Sequence, residues 1–435
     1  MRAIRDLGEY IYKRDNLSEL DAFVQPLNVA KVFLITLQKK ESKFAYAGIN
    51  DEEYNAKDYI RYLYRSGPSQ GSDITPTSKL VDPKKTFEKR ILRWFRVIDQ
   101  IKTLSNDDIA FLSAIKKSLE ESKERILNDL TEKQKQYGKM KGGFAISLLI
   151  IDGNGSKQYL GDFEVFKKVL IEIAKKRYYE KYGKVSKAEK QLCSICGKPS
   201  DEVYGFVTDI FPFYNLDKPG FAPDLNQQYG WKLYPVCFEC AKYLEIGRMY
   251  LDKHLNMRFY GNFTYYLIPK FLFGIDEYTI DIIENWKSPT FSEKHDADKM
   301  SLRRLFSEED EIIQYLSELE NYVSFNFLFY REEQQALRIL LNVTDVLPSR
   351  LHALYSVKEE LDKEPIFAVE NLRFNFMILR NIFPQSKTFG DYDKYYLNIV
   401  GKIIMGKTIS YKSVSYTHLR AHETRHDLVC RLLLE

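Results

Sequence analysis

The chain has 435 residues, with 65 Lys and Arg against 61 Asp and Glu, a net charge of +4, and 44% hydrophobic and 29% charged residues. That balance excludes a polybasic, histone-like protein and a disordered one, so any nucleic-acid surface has to be a local patch. The length allows about two to four domains. No run approaches 18 apolar residues, so no membrane span is expected. The opening MRAIRDLGEYIYKRD places charges where a signal peptide needs an apolar stretch, and a cytoplasmic protein is expected.

In chain order, residues 30–37 (AKVFLITL) and 44–49 (FAYAGI) read as strands, with Lys39, Lys40 and Lys43 in the turn between them. A polar loop, SGPSQGSDITPTS, follows. From about Thr86 to Leu104 the pattern turns helical. Phe87, Ile91, Trp94, Phe95 and Ile98 fall on one side of the wheel and Lys85, Lys89, Arg93 and Arg96 on the other. That basic stripe has two readings, a track for a phosphate backbone or the solvated face of an amphipathic helix; the lysine turn is read the same way. A second, strongly charged helix is expected from near Asp107 to Gln136, ending at Tyr137-Gly138. FAISLLII (144–151) reads as a buried strand entering a hairpin through DGNG. Asp162 is expected to N-cap a helix carrying Phe163, Phe166, Val169, Leu170 and Ile173, which closes on Lys175-Lys176-Arg177.

Two C-x-x-C pairs, Cys193/Cys196 and Cys237/Cys240, stand out among only five cysteines. Gly197 relieves the backbone crowding of the first turn, and the second pair runs straight into a helical pattern, AKYLEIGRMYL. Four sulfurs match the tetrahedral demand of Zn²⁺, and a closed four-thiolate site is structural, not catalytic. The segment between the pairs exceeds the usual spacing and must be an inserted strand-and-loop excursion. Disulfides or redox chemistry are the competing reading. His254, farther along the helix, is an alternative ligand, and Phe211, Phe213 and Tyr214 read as packing for the module.

Beyond the cysteines, YYLIPKFLF (265–273) and VSFNFLFYRE (323–332) read as strands and SEEDEIIQYLSELENY (307–322) as a helix. The remainder is expected to be mostly helical, including VENLRFNFMILRNIF and DKYYLNIVGKIIM. Gly401 to Thr408 spells the phosphate-loop expression, but helical periodicity runs through it, so it is set aside. Asp152 and Asp162 flank a hairpin where catalytic carboxylates can sit, yet both have turn or cap explanations. No active site is expected. The last 22 residues, VSYTHLRAHETRHDLVCRLLLE, look like a translated sequencing-library adaptor. His418, His422 and His426 are therefore not taken as a metal site, and the natural chain is expected to be truncated near residue 413.

The expected fold class is α+β, mixed strands and helices with an inserted four-cysteine zinc-finger module and a mainly helical C-terminal part. The expected divisions are 1–140, an N-terminal α+β region; 141–190, a strand-helix segment; 191–255, the zinc module; 256–413, α+β turning helical; and 414–435, a non-native tail.

CSICG, FVTDIFPFYNLDKPGF and WKLYPVCFECAKYLEIGRMYLDKHLNMRFYGNFTYYLIPK together resemble the large subunit of type I-B CRISPR surveillance (Cascade) complexes. The likeness is strongest over about residues 140–275. It implies a prokaryotic, non-catalytic subunit that helps hold the 5′ end of a guide RNA and recognises a flanking motif on target double-stranded DNA. It also implies contact with the backbone and guide-end-binding subunits and recruitment of a helicase-nuclease. Cys193, Cys196, Cys237 and Cys240 carry over as zinc ligands. A zinc-containing nuclease or polymerase-like enzyme, and a purely protein-binding scaffold, are the competing classes.

Overall fold

The computed structural model describes residues 1–40, 43–67, 71–138, 140–181, 183–207, 210–212, 216, 218–259, 263–277, 280, 322–333, 336–365, 375–383 and 390–410. The expected helix at 307–322, residues Phe213 and Tyr214, part of VENLRFNFMILRNIF and the tail at 414–435 lie outside them. Among the described residues, no helix is long and apolar enough to cross a membrane.

The first sheet is built on two neighbouring apolar runs. β1 (Lys31–Lys40) pairs antiparallel with β2 (Lys43–Glu53) and parallel with β4 (Phe144–Ile151), which also pairs with β3 (Ser78–Leu80) and β5 (Lys157–Tyr159). Strands buried on both faces need apolar residues at every position, which is why these read as continuous runs. Val32, Leu34, Ala145 and Leu149 face one cluster with Tyr62 and Tyr64, from the segment holding α3 (Tyr59–Tyr62). Phe33, Ile35, Leu37, Ile146, Leu148 and Ile150 face the main core. A parallel pair requires a crossover, and the connection from β2 to β4 supplies it. β4 therefore belongs to the sheet begun by β1, and the expected division at 140/141 falls inside that sheet.

The crossover holds α4 (Pro83–Thr86), a π-helical stretch Phe87–Leu92 and a 3₁₀ stretch Phe95–Asp99, and then α5 (Asn106–Glu121) and α6 (Lys123–Tyr137). The single helix expected near 107–136 is thus two, broken at Ser122, whose backbone (φ −98°, ψ 10°) leaves helical geometry. Ser105 and Asp108 close a capping box at the start of α5. α7 (Glu164–Lys176) buries Val165, Phe166, Val169, Leu170 and Ala174. Its N-cap is Phe163, not Asp162. Asp162 sits in a 3₁₀ turn, where its carboxylate accepts from the Tyr159 N–H at 2.7 Å.

Next come a short hairpin, β6 (Glu180–Lys181) and β7 (Lys184–Val185), and a three-stranded sheet of β8 (Lys187–Leu192), β9 (Pro199–Tyr204) and β10 (Val236–Cys237). α8 (Phe238–His254) follows without a break. A four-stranded antiparallel sheet of β11 (Asn256–Phe259), β12 (Phe263–Phe271), β13 (Val323–Glu333) and β14 (Ala336–Val346) comes next. Its register stacks Tyr266 on Tyr330 with ring centroids 4.5 Å apart. β14 replaces part of the helix expected after residue 332. Behind this sheet lie α9 (Pro348–Leu361), α10 (Phe376–Ile382) and α11 (Asp391–Met405).

The N-terminal helix closes the structure. α1 (Arg2–Arg14) buries Ile4, Leu7, Gly8 and Ile11, one stripe at helical spacing, against α8. The short α2 (Glu19–Phe23) also packs there. A Cβ on Gly8 would lie 1.9 Å from the Tyr243 carbonyl oxygen, and one on Gly247 would lie 2.2 Å from that of Ile4. Only glycine allows these backbones to approach so closely. A buried ion pair reinforces the seam. Arg65 reaches Glu245 of α8 at 2.5 Å and donates to the Phe23 carbonyl at 3.1 Å, while the Tyr178 hydroxyl donates to the same Glu245 oxygen at 2.8 Å.

Gly247→Ala is expected to lower stability by on the order of 1–3 kcal/mol, although alanine is the better helix former. Gly153→Ala, at a position open to solvent, is expected to be neutral. Urea denaturation midpoints of the two variants check this.

Candidate metal centre and basic groove

The first cysteine pair caps the β8–β9 hairpin. The Cys193 N–H donates to the Lys198 carbonyl at 3.0 Å and the Gly197 N–H to the Cys193 carbonyl at 2.8 Å, with Gly197 at φ +70°. The second pair opens α8, with Cys237 as the N-cap residue and Cys240 in the first turn. Docking of the two turns is direct: the Ser194 N–H donates to the Pro235 carbonyl at 2.8 Å, and the Cys237 N–H to the Cys193 sulfur at 3.4 Å. All four sulfurs lie within 4.8 Å of one another. None is in a disulfide; Cys193, Cys237 and Cys240 are buried, and Cys196 is half-buried.

This donor set fits one metal ion. A tetrahedral site with metal–sulfur bonds of about 2.3 Å spaces its sulfurs about 3.8 Å apart, which the 4.8 Å limit here accommodates. As bare thiols the cluster already polarises. Hydrogen bonds from Cys237 and Cys240 hold the Cys193 thiol far below the ordinary thiol range. The hydrogen bond to Cys193 pushes Cys237 up to about 11 and raises Cys240 further. A bound cation replaces those shared protons. His254 lies at the far end of α8 from Cys237 and Cys240, against Tyr250. Phe211 packs on Tyr266 of the four-stranded sheet and lies under the Arg248 guanidinium of α8, 5.2 Å from the ring centroid.

The helical segment at 83–99 carries the second feature. Asp82 caps it, accepting from the Lys85 N–H at 2.8 Å, and Pro83 occupies its first turn. Phe87, Ile91, Trp94 and Phe95 are buried, with the Trp94 indole N–H donating to the Ile74 carbonyl at 2.8 Å. Lys85, Lys89, Arg93 and Arg96 are exposed on the opposite side. All four line one groove of about 1260 Å³. Lys79 and Lys116, from β3 and α5, line it too. Arg93 and Arg96 also line an adjoining cavity of about 430 Å³, whose other wall includes Lys176 and Lys181. No local pattern groups Lys79, Lys116, Lys176 and Lys181 with the stripe, because they come from separate elements.

Lys39, Lys40 and Lys43 are exposed at the β1–β2 hairpin, where Lys40 pairs with Lys43, and none of them lines this groove. Asp152 holds the hairpin turn, accepting from the N–H groups of Asn154 and Ser156 at 2.9 and 2.8 Å. Gly401 lies inside α11, where a Cβ would sit 3.1 Å from the Leu341 side chain, and Gly406 is the left-handed cap at the helix end. A helix precedes Lys407 and Thr408, the reverse of a phosphate loop.

Residues 1–172 match the model for the N-terminal domain of the CRISPR-associated protein TM1802 family, and residues 190–346 match that for its central domain. No curated protein matches the chain.

Protein purified natively under reducing conditions is expected to carry one metal ion per chain, and Cys240→Ser to lose it and unfold at lower temperature. Elemental analysis and thermal melts before and after chelation check this; a metal-free wild type with an unchanged melt refutes it.

Proposed function

We propose a specific role for this chain, which belongs to the TM1802 family of CRISPR-associated proteins: the non-catalytic large subunit of a type I-B interference complex. In this role it holds the end of a guide RNA, engages target duplex DNA at its flanking motif, contacts the backbone and guide-end-binding subunits, and supports recruitment of a helicase-nuclease. The four soft sulfur donors favour Zn²⁺ as the resident ion, in a structural capacity.

The observation that carries the nucleic-acid part is the basic groove. A solvated helix face needs no further cations around it, yet here Lys79 and Lys116, from other elements, line the same depression as Lys85, Lys89, Arg93 and Arg96. Its acidic lining residues are fewer, and Asp73 is paired with Arg90 at 3.6 Å. Among the described residues, Tyr64 is its sole aromatic lining residue, and that ring is buried. Cations without stacking platforms suit phosphates and not bases. Such a surface positions a backbone and leaves sequence choice to guide pairing, which fits a chain of near-zero net charge.

Changing Lys85, Lys89, Arg93 and Arg96 to Ala is expected to weaken nucleic-acid binding by the reconstituted complex. Its plot of log affinity against log salt should flatten by about 0.9 for each phosphate no longer engaged. Filter binding across a salt series reads this, and an unchanged slope returns the stripe to the solvated-face reading. Incubation with labelled DNA and Mg²⁺ or Mn²⁺ is expected to give no cleavage; cleavage by the purified chain would favour the enzyme class.

A further inference from the structure

The cysteine cluster borders a cavity of about 500 Å³ lined by Cys196, Cys237 and Cys240 and, from the first helix, by Arg5 and Glu9. Arg5 is largely buried, with 19% of its side chain exposed. Its Nη1 donates to Asp6 at 2.7 Å and pairs with Glu9 at 2.7 Å, and the guanidinium lies over the Tyr243 ring, 5.6 Å from its centroid. Its Nε is buried and has no hydrogen-bond partner. An orphan N–H on a charged group is costly unless an acceptor or a negative field compensates. Burial works against the Arg5 charge, but the Asp6 hydrogen bond, Glu9 and the Cys240 sulfur outweigh it and raise the guanidinium pKa.

Four thiolates around a divalent cation leave a net charge of about −2, and such centres depend on nearby donors and cations. Lys198 and Lys175 line the same cavity, the first exposed and the second over the Phe238 ring at 4.9 Å, whereas Arg5 is fixed by its carboxylate and ring contacts. The Gly8–Gly247 approach sets α1 close enough to α8 to present Arg5 there.

We propose that Arg5 is the outer partner of the metal centre, its guanidinium offsetting the thiolate charge from α1, so that metal occupancy and docking of α1 on α8 stabilise each other. The proposal rests on the reading of the cluster as a metal centre. By linkage, whatever factor Arg5 adds to metal affinity, the metal returns to helix docking. The centre would then belong to the seam between the two family domains and not to the cysteine module alone.

The test uses the full-length protein and zinc. Competition with a chromophoric chelator is measured for wild type, Arg5→Gln and Arg2→Gln; Arg2 is 79% exposed and makes only a marginal contact with Asp6 at 4.0 Å. Arg5→Gln is expected to weaken zinc retention about 10- to 100-fold and Arg2→Gln to leave it unchanged. Hydrogen exchange over residues 2–14 in the wild type is expected to accelerate when zinc is stripped. A folded Arg5→Gln protein that retains zinc within about twofold of wild type would overturn the proposal. So would exchange in α1 that ignores the metal, a measurement that stands even if the variant does not fold. A wild type that binds no zinc at all would instead remove the metal reading beneath it.

Discussion

The close approach of α1 and α8 is the constraint on which the arrangement of the molecule turns. Gly8 and Gly247 let one backbone rest on the other, and any side chain at either position would meet a carbonyl oxygen. That contact joins the first helix of the N-terminal family domain to the helix that supplies half of the cysteine cluster. The same helix α8 carries Glu245 of the buried pair with Arg65. An ion pair with 8% and 10% side-chain exposure gains little by itself, because desolvation offsets most of the attraction. It is tolerated here because the Phe23 carbonyl and the Tyr178 hydroxyl satisfy further valences. Burial, with the Glu245 carboxylate alongside, keeps the Tyr178 phenol protonated well above its usual range, so it remains a donor.

The cysteine cluster solves a different problem. Its two halves are separated by a long excursion, and loop closure grows costly only slowly with length. Each half sits on a regular element, one at a hairpin tip and the other at a helix start. Two hydrogen bonds from backbone N–H groups, one to a carbonyl and one to the Cys193 sulfur, join the turns, and the four sulfurs lie within 4.8 Å of one another. The excursion is free to carry other structure, including the 3₁₀ turns at 219–232. Because binding energy at such a site is folding energy, the ion would stabilise the hairpin, the helix start and their contact together.

Much of this is legible in the residues. The apolar runs of β1 and β4 and the alternating β13 announce themselves because burial on one or both faces leaves a pattern in a single strand. The cysteine pairs do so because metal-ligand spacing is local. What stays hidden is whatever depends on a partner distant in sequence. β14 opens with ALRILL, a string of good helix formers, and only its ladder with β13 makes it a strand. The break at Ser122 follows from packing α5 and α6 separately on β2. Arg65, Glu245 and Tyr178 have no local signature at all, and Gly8 looks like an ordinary helix weakness until Gly247 is set against it. The pairing of β1 with β4 across residue 140 is hidden for the same reason: a parallel strand pair places its crossover in the middle of an apparent domain.

The groove and the cysteine helix are mechanically connected through these non-local contacts. Ser66 and Gly67 line the groove and follow directly on Arg65, whose guanidinium is held by Glu245 of α8. Gly67 is pressed against the Ser72 carbonyl, and its N–H donates to Asp73 at 2.9 Å, so this part of the wall has little freedom of its own. On the other side, Arg177 donates to the Ser66 carbonyl at 3.2 Å, and its neighbour Tyr178 joins the same Glu245 oxygen. Lys176, one residue earlier, lines the adjoining cavity. The buried carboxylate of Glu245 thus ties the element that starts with two metal-site cysteines to the element that faces the groove.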